Sequence, residues 1–276
     1  MLFRSLVGLL EGKRGLILGV ANERSIGWGI AKAARREGAE IGLSYLSKED
    51  KVRDLAPEVD APFVEPLDVS DEEQMRTFFE AVARWGKIDF VVHSIAHARR
   101  EALGDGFLNV ERADFLNALD VSCYSFLSVA RHAAPHLREG GSLLTLSYLG
   151  AVRAVPNYHV MGVAKAALEA TTRYLAVDLG PEGIRVNAIS SGPILTLAAS
   201  AIGNFRALLR KQNMTTALKR GVTQDEVGNS AVYLLSDLAS GVSGEVHYVD
   251  AGANISMCDL ECLASLTPKT ANSAAS

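Results

Sequence analysis

With 276 residues, 48% of them hydrophobic and 22% charged, the chain is long enough for a large core and has the composition of an ordinary α/β protein. A net charge of −4 with no basic block argues against nucleic acid or an anionic membrane surface as a partner. No apolar run reaches transmembrane length, the first residues lack the pattern of a cleaved leader, and Cys123, Cys258 and Cys262 make no metal-ligand pattern. A soluble cytoplasmic protein with reduced thiols is expected.

Hydrophobic runs and helical periodicity alternate from the start. Residues 15–20 read as a buried strand opening into the loop 21–24, and 25–37 as a helix. A second strand covers 40–45, a charged helix 48–55 and a third strand 61–67. Ser70-Asp71-Glu72-Glu73 reads as a capping box opening the next helix. The fourth strand is 88–93, and a long helix follows from about 115 to 137. The fifth strand is 142–147, and from Asn157, a candidate N-cap after Pro156, the pattern turns helical again. Residues 184–190 make a sixth strand, 194–220 an irregular helical stretch, 224–236 a helix and 245–249 a seventh strand. Residues 267–276 are small and polar, the composition of a disordered tail. Strands alternating with helices call for one doubly wound, Rossmann-type α/β domain over 1–266, a seven-stranded parallel sheet with helices on both faces.

In such sheets ligands bind at the carboxyl ends of the strands. Those ends carry Gly19, Tyr45-Leu46, Asp68-Val69, Ser94-Ile95, Ser147-Tyr148 and Ser191-Gly192-Pro193. The turn from Gly19 to Gly27 lacks the G-x-G-x-x-G spacing, but a glycine-bearing turn before a helix N-terminus suits a pyrophosphate. The second strand's tip holds neither an acid for an adenosine ribose nor an immediate Arg for a 2′-phosphate, although Lys48 follows. Asp68 and Val69 could meet an adenine ring, or simply precede a helix. Tyr158 and Lys165 lie seven apart, two helical turns, and so share a face. There a cation would ease release of the phenol proton; the bland alternative is an exposed Tyr and Lys on an amphipathic helix. His93, His97 and His159 are not at ligand spacing on one helix, so no metal is expected.

From about Leu9 to Ile255 the chain resembles the NADH-dependent bacterial enoyl-acyl-carrier-protein reductases of the short-chain dehydrogenase/reductase superfamily. The resemblance rests on residues 12–31, His93-Ser94-Ile95, Leu146 to Tyr158 with Met161 and Lys165, and Arg185 to Ser190. It continues through Gly192-Pro193-Ile194, Thr196 to Ser200 and Ser243-Gly244-Glu245. Ketone- and alcohol-handling members of the superfamily place Tyr four residues before Lys, with Ser thirteen before that Tyr. Those positions here hold Met161 and Tyr148, and the phenol stands one turn earlier, at Tyr158. That shift suits an enoyl thioester, where hydride arrives at Cβ and charge builds on the more distant thioester oxygen.

The resemblance implies a catalytic set of Tyr158, Lys165 and a second tyrosine, Tyr148. It implies NADH as cofactor, with NADPH possible, held by Gly19, Ser25, Ile26, Leu46, Asp68, Val69, Ile95, Lys165, Ile194, Leu195, Thr196, Leu197 and Ala198. The acyl group would meet Ala98, Met161, Ile202 and Phe205 beneath a flap spanning 194–215. For those apolar residues, core packing is the competing reading. Acyl carrier protein is the implied partner, with Arg99, Arg100, Arg206, Arg210, Lys211, Lys219 and Arg220 as candidate basic contacts, and the assembly implied is a homotetramer. Departures from the family pattern are Gly27, Leu46, Ala96, His97, Leu195 and Ala217, which bear on acyl preference and the flap rather than on the reaction class. A ketoacyl reductase and a catalytically silent dinucleotide-binding regulator are the alternatives. Met161 disfavours the first, and the presence of both Tyr158 and Lys165 disfavours the second.

Overall fold

The apolar runs pair into strands whose residues alternate between two covered faces. The computed structural model describes residues 8–103, 106–196, 209–210 and 214–256. Its seven strands are β1 (Arg14–Leu18), β2 (Glu40–Tyr45), β3 (Phe63–Pro66), β4 (Ile88–His93), β5 (Leu137–Ser147), β6 (Arg185–Ser191) and β7 (Val246–Val249). They form one sheet in the order β3-β2-β1-β4-β5-β6-β7, and every neighbouring pair is parallel. The expected seven-stranded doubly wound sheet is therefore what forms.

Alternation decides which residue faces which layer. Ile17 of β1 packs with Trp28 and Ile30 of α1 (Ile26–Arg36) on one face. Its neighbours Leu16 and Leu18 pack on the other, with Phe78 of α3 (Glu72–Trp85), α2 (Glu49–Leu55) having come between. The order of strand addition reverses between β1 and β4, which run parallel with Leu18 opposite His93. That is the switch point at which a doubly wound sheet opens a crevice at its carboxyl edge. Among the described residues the later α-helices bounded at both ends are α4 (Arg112–Leu119), α5 (Ser125–Ala133), α6 (His159–Leu179) and α7 (Gln224–Leu235).

Three local expectations need correction. The N-cap of α3 is Asp71, whose Oδ1 accepts from the Glu73 and Gln74 N–H groups at 2.9 and 3.1 Å. Ser70 cannot cap because its hydroxyl donates to Asp68 Oδ1 at 2.6 Å. The capping box belongs instead to Thr223 and Glu226 at the head of α7. The helix expected over 115–137 starts at Arg112 and is interrupted by a π-turn over Asp120–Tyr124, and β5 has begun by Leu137. Finally, α6 begins at His159 with Tyr158 as N-cap, and Asn157 is left-handed at φ 63°.

Candidate active site

The first turn is closed from inside. Ser25 Oγ accepts from the Ala21 and Asn22 N–H groups at 3.1 and 3.2 Å. Because that hydroxyl is turned back into the loop, no side chain caps the first turn of α1, and no acid lies in that turn. The helix end is thus open to an anion. Gly19 has φ 84°, and a Cβ there would lie 2.5 Å from the Ser94 carbonyl oxygen. Only glycine combines that backbone with that approach. Ile26 leans on the core face that contains Trp28, while Ile95 and Val69 lean on the opposite face.

At the tip of β2, Leu46 is 65% exposed, an apolar platform rather than a ribose partner. Asp68 Oδ1 takes both the Ser70 N–H and its hydroxyl, so the carboxylate is fixed at the end of β3. After β6, Ile194 packs on the core, Leu195 is exposed, and the Thr196 N–H bonds the Ile194 carbonyl at 2.8 Å. Leu197, Ala198, Ile202 and Phe205, with most of the 194–215 flap, lie outside the described residues, as does the 267–276 tail.

Tyr148, at the end of β5, and Tyr158, at the head of α6, come together with ring centroids 4.9 Å apart. Tyr158 stands between two left-handed residues, Asn157 at φ 63° and His159 at φ 34°. Asn tolerates that region, but for His159 it is strained backbone, of the kind kept where a side chain must be aimed. Gly150 makes room for the pair: a Cβ there would lie 2.4 Å from Tyr158 Cδ1 and 3.3 Å from Tyr148 Cδ1. Burial, then Tyr148, pushes the Tyr158 phenol above its ordinary value, and burial pushes Tyr148 up to about 12.

Lys165 is buried on α6, and its Nζ donates to the Leu146 carbonyl at 2.7 Å. Burial brings its ammonium down to about 8, opposed by Cys123 and Glu169. The sequence had the cation easing proton release from the phenol. In the cofactor-free chain burial raises the Tyr158 phenol, and the Lys165 ammonium is turned to the strand carbonyl. Glu169, one turn beyond Lys165 and also buried, accepts from Ser147 Oγ at 2.5 Å, and burial raises its carboxyl.

Met161 is buried with Tyr158, Val160, Ala102, Leu103 and Ala118, and Ala98 packs against this small apolar cluster. The structure thus brings Ala98, Met161, Tyr148 and Tyr158 together. Of the histidines, His93 is fully buried between Thr145 and Ser125, His97 is exposed, and His159 stacks on Phe107. Gly150, Glu169, Ser122 and Ser125 escaped the sequence reading. The one signal for the serines was their three-residue spacing, continued by Ser128 on the same helical stretch.

A doubly wound parallel sheet with an open helix N-terminus after β1 and a buried tyrosine and lysine at the head of α6 defines a reductase of the short-chain dehydrogenase type. The family model described as Enoyl-(Acyl carrier protein) reductase matches residues 19–254. The chain is 54% identical over 248 residues to Enoyl-[acyl-carrier-protein] reductase [NADH] 1 of Rhizobium meliloti, covering 89% of this chain and 91% of that one. The solved enoyl-acyl-carrier-protein reductase of Anaplasma phagocytophilum in complex with NAD superposes with a TM-score of 0.88 at 47% identity, covering 92% and 98% of the two chains. That of Bacillus cereus, solved with NADP+ and an indole naphthyridinone, gives 0.88 at 47%, covering 90% and 98%. The chain belongs to the enoyl-acyl-carrier-protein reductase family.

Proposed function

We propose that this chain reduces the Cα=Cβ bond of trans-2-enoyl thioesters presented by acyl carrier protein, with NADH as hydride donor, at the close of each fatty-acid elongation cycle. The observation that carries this reading is the displaced phenol: Met161 fills the position four before Lys165, and the buried tyrosine is Tyr158.

The residues present suit a dinucleotide. Gly19, Ser25 and Ile26 would take the pyrophosphate at the open end of α1. Leu46, Asp68 and Val69 would take the adenosine half. Ile95, Lys165 and residues 194–198 would complete the cofactor site, with Lys165 on the nicotinamide ribose. When bound, NADH supplies hydride to Cβ of the substrate. Tyr158 donates a hydrogen bond to the thioester oxygen as negative charge builds there, and a proton added at Cα completes the saturated thioester. A preorganised donor in a buried site contributes about 3 kcal/mol to the transition state. The tightly held phenol proton suits that role. Tyr148, edge-on to Tyr158, supports it. Met161 and Ala98 would meet the acyl group, with Ile202, Phe205 and a flap over 194–215 as the further contacts that the family resemblance implies.

The assay follows NADH and NADPH oxidation with a crotonyl and an acetoacetyl thioester. Oxidation of NADH with the crotonyl substrate is the expected result. The NADPH arm is motivated by the exposed Leu46 tip, which carries no acid to exclude a 2′-phosphate. Turnover of the ketone alone would overturn the reading in favour of a ketoreductase, and no turnover of either would favour the silent regulator.

The proposed assembly is a homotetramer in the cytoplasm. Tyr174 and Val177 of α6 and Leu116 of α4 are exposed apolar side chains that further copies of the chain would cover. Cys123 is a free thiol, in keeping with a reducing compartment. Light scattering that gives a monomer mass would remove the tetramer. Among the candidate contacts for acyl carrier protein, Arg99 is paired with Asp114 and Arg220 with Glu226, while Arg100 and Arg210 are exposed.

A further inference from the structure

The π-turn between α4 and α5 carries Ser122, and Ser125 opens α5 directly after it; both are fully buried. Each grips the segment leaving β4. Ser125 Oγ donates to the Val121 carbonyl at 2.7 Å, so it accepts from His93 Nε2 at 2.8 Å. Ser122 Oγ accepts the His97 N–H at 2.9 Å and donates to the His97 carbonyl, also at 2.9 Å. One hydroxyl thus clamps both backbone groups of a single residue. The same oxygen lies 3.7 Å from Met161 Sδ.

Residues 94–99 have no regular secondary structure. Their path is fixed at one end by the Ser94 N–H on the Leu18 carbonyl at 3.1 Å, and at the other by Ser122. Ile95 and Ala98, one on the cofactor side and one on the acyl side, hang between and beside these two points. An extra residue in a helical turn re-aims the side chains around it, and such turns recur at functional sites.

We propose that Ser122 is a positioning residue for the enoyl substrate: through His97 it sets the Ala98 backbone against Met161 and Tyr158. Its hydroxyl is already committed as donor and acceptor, so it acts through the loop and not on the reacting atoms. This inference rests on the reading of Ala98 and Met161 as acyl contacts given above.

The test compares Ser122→Ala with Ser122→Thr, which keeps the hydroxyl, and with Ser122→Cys, which keeps the volume. Steady-state kinetics with crotonyl thioester, NADH titration and thermal melts are read together. Expected for Ser122→Ala and Ser122→Cys is a fall of roughly tenfold in kcat/KM for the thioester, carried mostly by KM. NADH affinity stays within about twofold, and Ser122→Thr recovers most of the loss. Unchanged kcat/KM in both Ser122→Ala and Ser122→Cys overturns the proposal. So does a parallel fall in NADH affinity and melting temperature, which marks general loosening. If Ser122→Ala does not fold, Ser122→Cys against Ser122→Thr decides by the same split. A wild-type chain inactive on the enoyl thioester would instead remove the underlying reading.

Discussion

Tyr148 and Tyr158 meet edge to face, with an interplanar angle of 70°. Such a contact contributes about 0.5–1.5 kcal/mol beyond the area it buries. Here it also places two phenols in one desolvated space, so both keep their protons near neutral pH. Tyr158→Phe leaves the ring contact in place and removes only the hydroxyl. Turnover with an enoyl thioester is expected to fall by about 10²–10³, the loss of one preorganised donor, while NADH affinity changes less than about twofold. Tyr148→Phe is expected to cost less. A wild-type rate in Tyr158→Phe would end its assigned role.

Gly150 sets the distance between β5 and that ring. In Gly150→Ala the new Cβ would start 2.4 Å from Tyr158 Cδ1 and 2.7 Å from Cε1. The ring must turn or the backbone must part, and overpacking of this kind costs about 1–3 kcal/mol. A melting point lower by a few degrees and turnover reduced about tenfold are expected. A stable variant at full rate would show that the ring can be displaced without consequence.

The alternation of strands and helices, and with it the doubly wound parallel sheet, was legible because continuous apolar runs such as Leu16-Ile17-Leu18 announce two covered faces; the order of the strands was not. Tyr158, Lys165 and Met161 were legible as a spacing. Local competition between polar groups was not. Ser70 looked like a cap, and only the fold shows its hydroxyl spent on Asp68. The π-turn was invisible because residues 112–133 carry no Gly or Pro to mark a break in the helix. The direction of the Tyr158 shift was missed because spacing brings Lys165 near but says nothing of desolvation, which governs both groups.

Lys165 makes two opposite pH dependences. Its ammonium is brought from an ordinary 10.5 down to about 8 by burial. Cofactor affinity, if it uses the cation, is expected to weaken as pH rises above about 8, by up to tenfold per pH unit. Stability of the cofactor-free protein runs the other way. Between about 8 and 10.5 the unfolded chain holds the extra proton, so this group's contribution improves with rising pH by on the order of 1.4 kcal/mol per unit. NADH titrations and urea unfolding at pH 7, 8 and 9 test both signs, with Lys165→Met as the flat reference. A pH-independent NADH affinity would show that the ammonium does not hold the cofactor.

His93 supplies an acid-side counterpart. It is fully buried, its ring nitrogens 3.0 Å from Thr145 Oγ1 and 2.8 Å from Ser125 Oγ, and burial followed by Lys165 brings it from 6.5 down to about 3. Between those values the unfolded chain binds a proton that the folded chain refuses. The stability tied to neutral His93 is therefore complete above about pH 6.5 and is lost as the pH falls toward about 3, by on the order of 1.4 kcal/mol per unit. His93→Gln should be less stable than wild type at pH 7 by about 1–3 kcal/mol, because one of two buried partners loses its bond. As the pH falls through 5.5 to 4.5 the two proteins should converge, since the variant has no imidazole to protonate. Urea unfolding at these three pH values measures the gap, and a gap that stays constant would show that His93 takes up its proton without unfolding.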